Sequence, residues 1–199
     1  MQQENNFTEI RDAICKKYSL VSISASGKFK YPTGREGAEL LGYDANLILK
    51  AGDGFLEPFC GVGDPFSPGN VNPGELILDV GCGAGFDLFV ASHLVGKSGK
   101  VYGIDLSPQM LERARENLSQ GWVLNVELKS GNSEKLPFAS GKFDLVISNG
   151  VLNLSPDKKE SVKEIFRVLK APGRFQFADM VLKKELPPEM TRNPQAWSQ

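Results

Sequence analysis

The sequence predicts an α/β fold: a doubly wound, mainly parallel sheet with helices on both faces, covered by an N-terminal helical and loop cap. Three observations carry this. Between residues 75 and 182, short apolar runs alternate with amphipathic stretches of helical length. The first run opens into a glycine cluster, Gly81-Cys82-Gly83-Ala84-Gly85. Ser107-Pro108 and Ser155-Pro156 each read as an N-cap followed by proline at the first helical position.

Taken in order, Phe7, Ile10, Ile14 and Tyr18 share one face of an N-terminal helix. Tyr31-Pro32-Thr33-Gly34 reads as a turn, and Arg35 to Leu41 as a short helix ended by Gly42. Pro58, Pro65, Pro68 and Pro73 keep the stretch from Glu57 to Gly74 mostly loop. Leu76 to Val80 is a buried strand, followed by a helix from Phe86 to Val95 and a second strand from Val101 to Asp105. Met110, Leu111, Ala114 and Leu118 recur at helical spacing after Ser107. Asn125 to Lys129 is a third strand, with Val126 and Leu128 alternating against polar neighbours. Phe143 to Ser148 is apolar enough to be central. Val162, Ile165, Phe166 and Leu169 give the next helix an apolar face, and Pro172-Gly173 ends it. Arg174 to Leu182 is the fifth strand. The chain thus divides into a cap (1–74), a core (75–182) and a tail (183–199).

Composition narrows the class. With 23 basic against 24 acidic residues in 199, nothing draws the chain to nucleic acid or an anionic membrane. An apolar fraction of 41% is that of a soluble globule, and no run is long enough for a transmembrane helix. The N-terminus lacks the pattern of a secretory signal, and the odd set Cys15, Cys60 and Cys82 has no paired spacing, so a reduced cytoplasmic protein is expected. A lone histidine, His93, excludes two-histidine zinc chemistry.

Parallel sheets of this kind bind ligands at the carboxyl ends of their strands. Glycines after the first strand let the backbone turn sharply and let a ligand approach closely. The spacing departs from the dinucleotide pattern, since Gly85 arrives one position early and Phe86 takes the expected place; Asp79 also precedes the first glycine by two. Asp79-Val80-Gly81-Cys82-Gly83-Ala84-Gly85 resembles the first motif of the Rossmann-like S-adenosyl-L-methionine-dependent methyltransferases. The resemblance implies that this turn holds the methionine part of the cofactor, with Asp79 near its ammonium. Asp105, at the end of the second strand, is placed to accept the ribose hydroxyls. Gly131-Asn132-Ser133-Glu134-Lys135-Leu136-Pro137-Phe138 is similar to the family's adenine-binding run, with Asn132 where an aspartate is usual. Leu106 and Met110 are then apolar walls for the ring, and Ser133 and Asn149 complete the implied cofactor set.

Ser148 to Lys158, the Gly61-Val62-Gly63-Asp64-Pro65-Phe66 loop, Arg167-Val168-Leu169-Lys170 and Trp197-Ser198 together resemble the arsenite methyltransferase branch. That branch holds trivalent arsenic by converging thiolates. Here Gly150 and Val62 stand at two of its cysteine positions, with Cys60 two residues from the second, which argues against arsenite as the acceptor. The resemblance also implies a further antiparallel strand pair after the fifth strand, for which the tail looks too short. An open sheet edge, and a homodimer through it, follow as expectations.

No general base stands out. His93 faces away from the strand ends, and Glu36, Glu39 and Asp64 are candidates without support from spacing. This favours a small-molecule acceptor that is already nucleophilic. Tyr18, Tyr31, Tyr43, Phe55, Phe59 and Phe66 either line a substrate cavity or bury the cap against the sheet. A cofactor-binding subunit without catalysis is the alternative; a nicotinamide oxidoreductase is disfavoured by Phe86 and by the lack of a recognisable proton donor.

Overall fold

A computed structural model of the chain describes residues 2–184 and Trp197. Five strands form one all-parallel sheet in the order β3-β2-β1-β4-β5. They are β1 (Leu76–Val80), β2 (Lys100–Asp105), β3 (Val126–Ser130), β4 (Phe143–Asn149) and β5 (Leu169–Ala178). Helices α5 (Phe86–Val95) and α6 (Pro108–Gln120) follow β1 and β2, and α7 (Lys158–Val168) links β4 to β5.

Each face of the sheet has its own apolar core. On one, Ile77, Val101, Leu145 and Ile147 meet Leu88, Phe89 and Val95 of α5 and Leu111 and Leu118 of α6. On the other, Leu78, Val80, Tyr102, Ile104 and Val146 meet Ile165 and Val168 of α7. That second face has no helix between β3 and β4. Leu136 and Phe138 cover it instead, and Phe138, Phe143 and Tyr102 pack edge-to-face at centroid distances of 5.0–5.6 Å. Arg167 fixes this covering loop by donating to the carbonyls of Phe138 (2.8 Å) and Leu136 (3.0 Å).

The cap consists of α1 (Gln2–Val21), α2 (Gly34–Leu40), α3 (Ala45–Ala51), α4 (Asp53–Leu56) and the loop to residue 75. Its apolar residues Ala38, Tyr43, Ile48, Phe55 and Phe59 join the same cluster as α5. The short helix α3 was not anticipated, although Asp44 caps it by accepting from the N–H groups of Asn46 and Leu47.

Two expectations for the last elements need correction. First, α7 is capped by Asp157 and not by Ser155, and it buries Ser161, Ile165 and Val168 while Val162 and Phe166 are exposed. The buried line is shifted because the Ser161 hydroxyl is sunk in a polar chain, 2.8 Å from both Ser133 and Ser155. Second, β5 begins at Leu169 and stops at Ala178, so Pro172-Gly173 lies inside it. The pairing shifts register there, from Phe143 with Leu169 to Leu145 with Arg174. A strand with a neighbour on one side only can carry an irregularity that includes proline. Among the described residues β5 pairs with β4 alone, leaving its other edge open. The tail from 185 lies outside the described residues apart from Trp197, as does any strand pair there. No helix among the described residues is long and apolar enough to cross a membrane.

Phe143 is fully buried at the meeting point of the second core. Phe143→Ala is expected to lower the unfolding free energy by about 3–5 kcal/mol, measured by urea titration, because the void left between Tyr102 and Phe138 cannot close.

Candidate active site

Connections leave β1 toward β2 on one side, while β4 lies on the other. Their loops separate at the carboxyl ends and open a crevice there. It is walled by the loops after β1 to β4 and by the cap.

The floor is the turn after β1. Gly81, Gly83 and Gly85 adopt φ of +79°, +51° and +94°, conformations that side chains rarely take. At Gly81 space is as decisive as angle, because the Val151 side chain occupies the place a Cβ would need. Gly81 and Cys82 donate to the Ile104 carbonyl, each at 2.9 Å, tying the turn to β2. Cys82 is buried and its thiol sits against Gly103, as a small filler would.

Asp105 closes this arrangement. One carboxylate oxygen accepts from the N–H of Gly83 and the other from that of Ser107, both at 2.8 Å. Burial pushes its carboxyl above the ordinary value, against the pull of these N–H groups. A carboxylate has about four acceptor sites, so roughly two remain for a ligand. Leu106 and Met110 line the crevice beside it.

Two further acceptors have no partner. Asn132 lines the crevice, and its Oδ1 is buried without a hydrogen bond. Asp79 is not among the residues that line the crevice; it is fully buried, and its Oδ2 likewise has no hydrogen bond. Unpaired acceptors of this kind are costly unless a ligand's donors meet them. Asp79, Asp105 and Asn132 stand at the ends of β1, β2 and β3, a row suited to an ammonium, a diol and an exocyclic amine. No group of three His, Cys, Asp or Glu among the described residues is placed to hold a metal.

Other expected residues do different work. The Asn149 amide is committed at both ends: Oδ1 accepts from Val62 (2.8 Å) and Gly63 (3.3 Å), while Nδ2 donates to the Gly63 carbonyl, the Tyr43 hydroxyl and Asp87. It fastens the cap to the sheet. The Ser133 hydroxyl is taken by Ser161. His93 is exposed, its Nδ1 3.0 Å from the Phe89 carbonyl, and neither it nor Glu36, Glu39 or Asp64 lines the crevice. Of the six cap aromatics, Tyr18, Phe55 and Phe59 line it; Tyr31, Tyr43 and Phe66 do not. Cys60 does, with its thiol pushed up to about 12, chiefly by burial. Cys15 donates to the Leu106 carbonyl at 3.6 Å.

Residues that sequence reasoning missed come mainly from α1 and the loop after β4. Arg11 and Ile14 reach the crevice from α1, and Val151 and Leu154 from the loop. Helical spacing had already placed Ile14 and Tyr18 on one face; nothing local signals what that face covers. Gly150 and Val62 prove to be neighbours, a Cβ on Gly150 meeting both Val62 methyls at 3.6 Å.

The buried acids give a pH signature. Burial raises Asp79 well above the ordinary aspartate value and Asp87 to about 6, even with Tyr43 donating to Asp87 at 2.6 Å. The folded protein therefore binds protons more tightly at these sites than the unfolded chain does. Their contribution to stability is full below the ordinary aspartate value and is lost as pH rises through the folded values. As pH rises from the ordinary aspartate range through about 6, the urea midpoint of the ligand-free wild type is expected to fall relative to that of Asp79→Asn, which lacks one of the raised acids.

Residues 72–199 match the methyltransferase domain family. The arsenite methyltransferase of Halobacterium salinarum is 39% identical over 162 residues, covering 81% of this chain and 41% of that protein. The demethylmenaquinone methyltransferase of Lactococcus lactis is 46% identical over 101 residues, covering 51% of this chain and 40% of the relative. The chain thus spans less than half the length of these curated relatives. Among solved structures, an arsenic(III) S-adenosylmethionine methyltransferase from Chlamydomonas reinhardtii superposes with a TM-score of 0.61 at 32% identity, covering 80% of this chain and 53% of that one. The match spans the glycine turn and every strand end that shapes the crevice, and on that ground the chain belongs to the methyltransferase domain family.

Proposed function

We propose that this chain transfers a methyl group from S-adenosyl-L-methionine to a small organic acceptor. The observation that carries the reading is the row of acceptors at consecutive strand ends, two of them buried and unsatisfied. When bound, the cofactor supplies an electrophilic methyl on a sulfonium. Asp79 would accept from its ammonium, the free lone pairs of Asp105 from the ribose hydroxyls, and Asn132 Oδ1 from the adenine amino group. Leu106 and Met110 would flank the ring, and the glycine turn leaves room for the methionine chain. Ser133, Cys82 and Asn149 would shape the site without donating or accepting through their side chains. The protein's remaining work is to hold an acceptor in line and dry.

The acceptor side favours an organic molecule over arsenite. Trivalent arsenic prefers converging thiolates. Here Val62 and Gly150 face each other, and among the described cap residues lining the crevice Cys60 is the one thiol, held protonated near neutral pH. The names of relatives span both classes, since an aklanonic acid methyltransferase from Streptomyces is 35% identical over 122 residues.

Calorimetric titration with S-adenosylhomocysteine is the direct test. The wild-type chain is expected to bind it and to ignore NAD. Asp105→Ala should weaken binding about a hundredfold, and Asn132→Ala by about five- to tenfold, in line with loss of charged and neutral hydrogen bonds respectively. Full affinity in Asp105→Ala would sink the assignment. With arsenite and a reducing thiol, no methylated arsenic is expected; its formation would return the acceptor to the metalloid class.

A further inference from the structure

Helix α1 meets the crevice at the end where Leu106, Met110 and Asn132 stand. Arg11, Ile14 and Tyr18 line the crevice from one face of that helix, at the i, i+3 and i+7 spacing that puts side chains on one side. Contacts from α1 go to three separate pieces of that end. The Cys15 thiol donates to the Leu106 carbonyl, on the loop after β2. Tyr18 and Val21 pack in one cluster with Met110 of α6. Arg11 reaches the loop after β3, with Nη2 3.6 Å from Oε2 of Glu134. Glu134 is itself anchored: its Oε1 accepts from the Ser155 hydroxyl at 2.9 Å, and Ser155 continues through Ser161 to Ser133. The Glu134 side chain is 10% exposed and that of Arg11 28%. An ion pair so placed lies between the exposed kind, which contributes little, and the buried kind, whose breakage is costly. Asn132, two residues before Glu134, carries the unsatisfied Oδ1 assigned above to the adenine amino group. Leu106, Met110 and Asn132 thus surround the place assigned to the nucleoside from the sheet side, and Arg11 and Ile14 supply the wall from α1.

We propose that Arg11 is a cofactor-positioning residue: paired with Glu134, it holds α1 against the nucleoside end of the crevice, so that Ile14 and the Arg11 stem form a wall on which the nucleoside packs. The inference rests on the methyl-transfer reading above and deepens it by giving an element of the cap a part in cofactor binding. Arginine suits the task, since its methylene stem covers apolar surface while the guanidinium stays on the carboxylate. The pair acts between two elements of the protein. Its loss therefore weakens any ligand that carries the nucleoside, whether or not an amino-acid tail is attached. An Arg11 that instead gripped the ligand's own carboxylate would matter only to ligands with that tail.

The test is calorimetric titration of the full chain with S-adenosylhomocysteine and with 5′-methylthioadenosine, which shares the nucleoside and lacks the amino-acid tail. Arg11→Ala keeps a good helix former in α1, and Glu134→Gln keeps an acceptor for Ser155. Urea midpoints check that both variants fold, and Arg11→Gln replaces Arg11→Ala should the latter not. Each single variant is expected to raise Kd for both ligands by about fivefold. The double variant should raise it no further, because the same pair is lost in all three. Unchanged affinity in either single variant, multiplied effects in the double variant, or a loss confined to S-adenosylhomocysteine would each overturn the proposal. Failure of the wild type to bind S-adenosylhomocysteine at all would instead overturn the methyl-transfer reading, and this inference with it.

Discussion

One carboxylate holds the crevice in shape. Asp105 grips the glycine turn through Gly83 and the entry to α6 through Ser107. The turn therefore cannot relax into the space above β1, even though its three glycines make it the least constrained piece of backbone nearby. Val151 presses on the same turn from the other side, occupying space only a glycine at 81 leaves free. Everything a ligand could meet is arranged around that fixed floor.

The cap is held by a second polar node. Tyr43, Asp87 and Asn149 bond to one another, and Asn149 reaches on to Val62 and Gly63. The node fastens the cap loop to the end of β4 and the start of α5. An amide suits this place because it offers donors and an acceptor at once. An aspartate there would set a second carboxyl against Asp87.

Much of this was legible in the sequence, for a physical reason. Strands buried on both faces are written as apolar runs, and parallel connections push their polar residues to the strand ends. The strand ends that carry Asp79, Asp105 and Asn132 could therefore be read from the apolar runs, while the roles expected of Asp79 and Asn132 came from the resemblance of their motifs. Long-range packing could not. Arg11 and Tyr18 meet the strand ends across about half the chain, and local pattern shows only that α1 has an apolar face. Ser161 misled the reading of α7 because a serine inside a hydroxyl chain behaves like a core residue. Asn149 stands beside the crevice as its place at the end of β4 suggests, and its amide is bonded to the cap, which no local pattern shows. The start of β5 was hidden because a proline and a glycine look like a stop unless the strand can bulge.

The grip of Arg167 on the carbonyls of Leu136 and Phe138 has an evolutionary corollary. It lets a stretch without regular structure keep Asn132 in place by borrowing rigidity from a helix downstream. The tip at Ala139 and Ser140 is exposed and is tied to that anchor only by a 3.4 Å hydrogen bond from Arg167 to the Ser140 hydroxyl, so residues can be gained or lost there at little cost to the position of Asn132. Descendants of this fold can vary in length at that point and still hold Asn132 at the crevice.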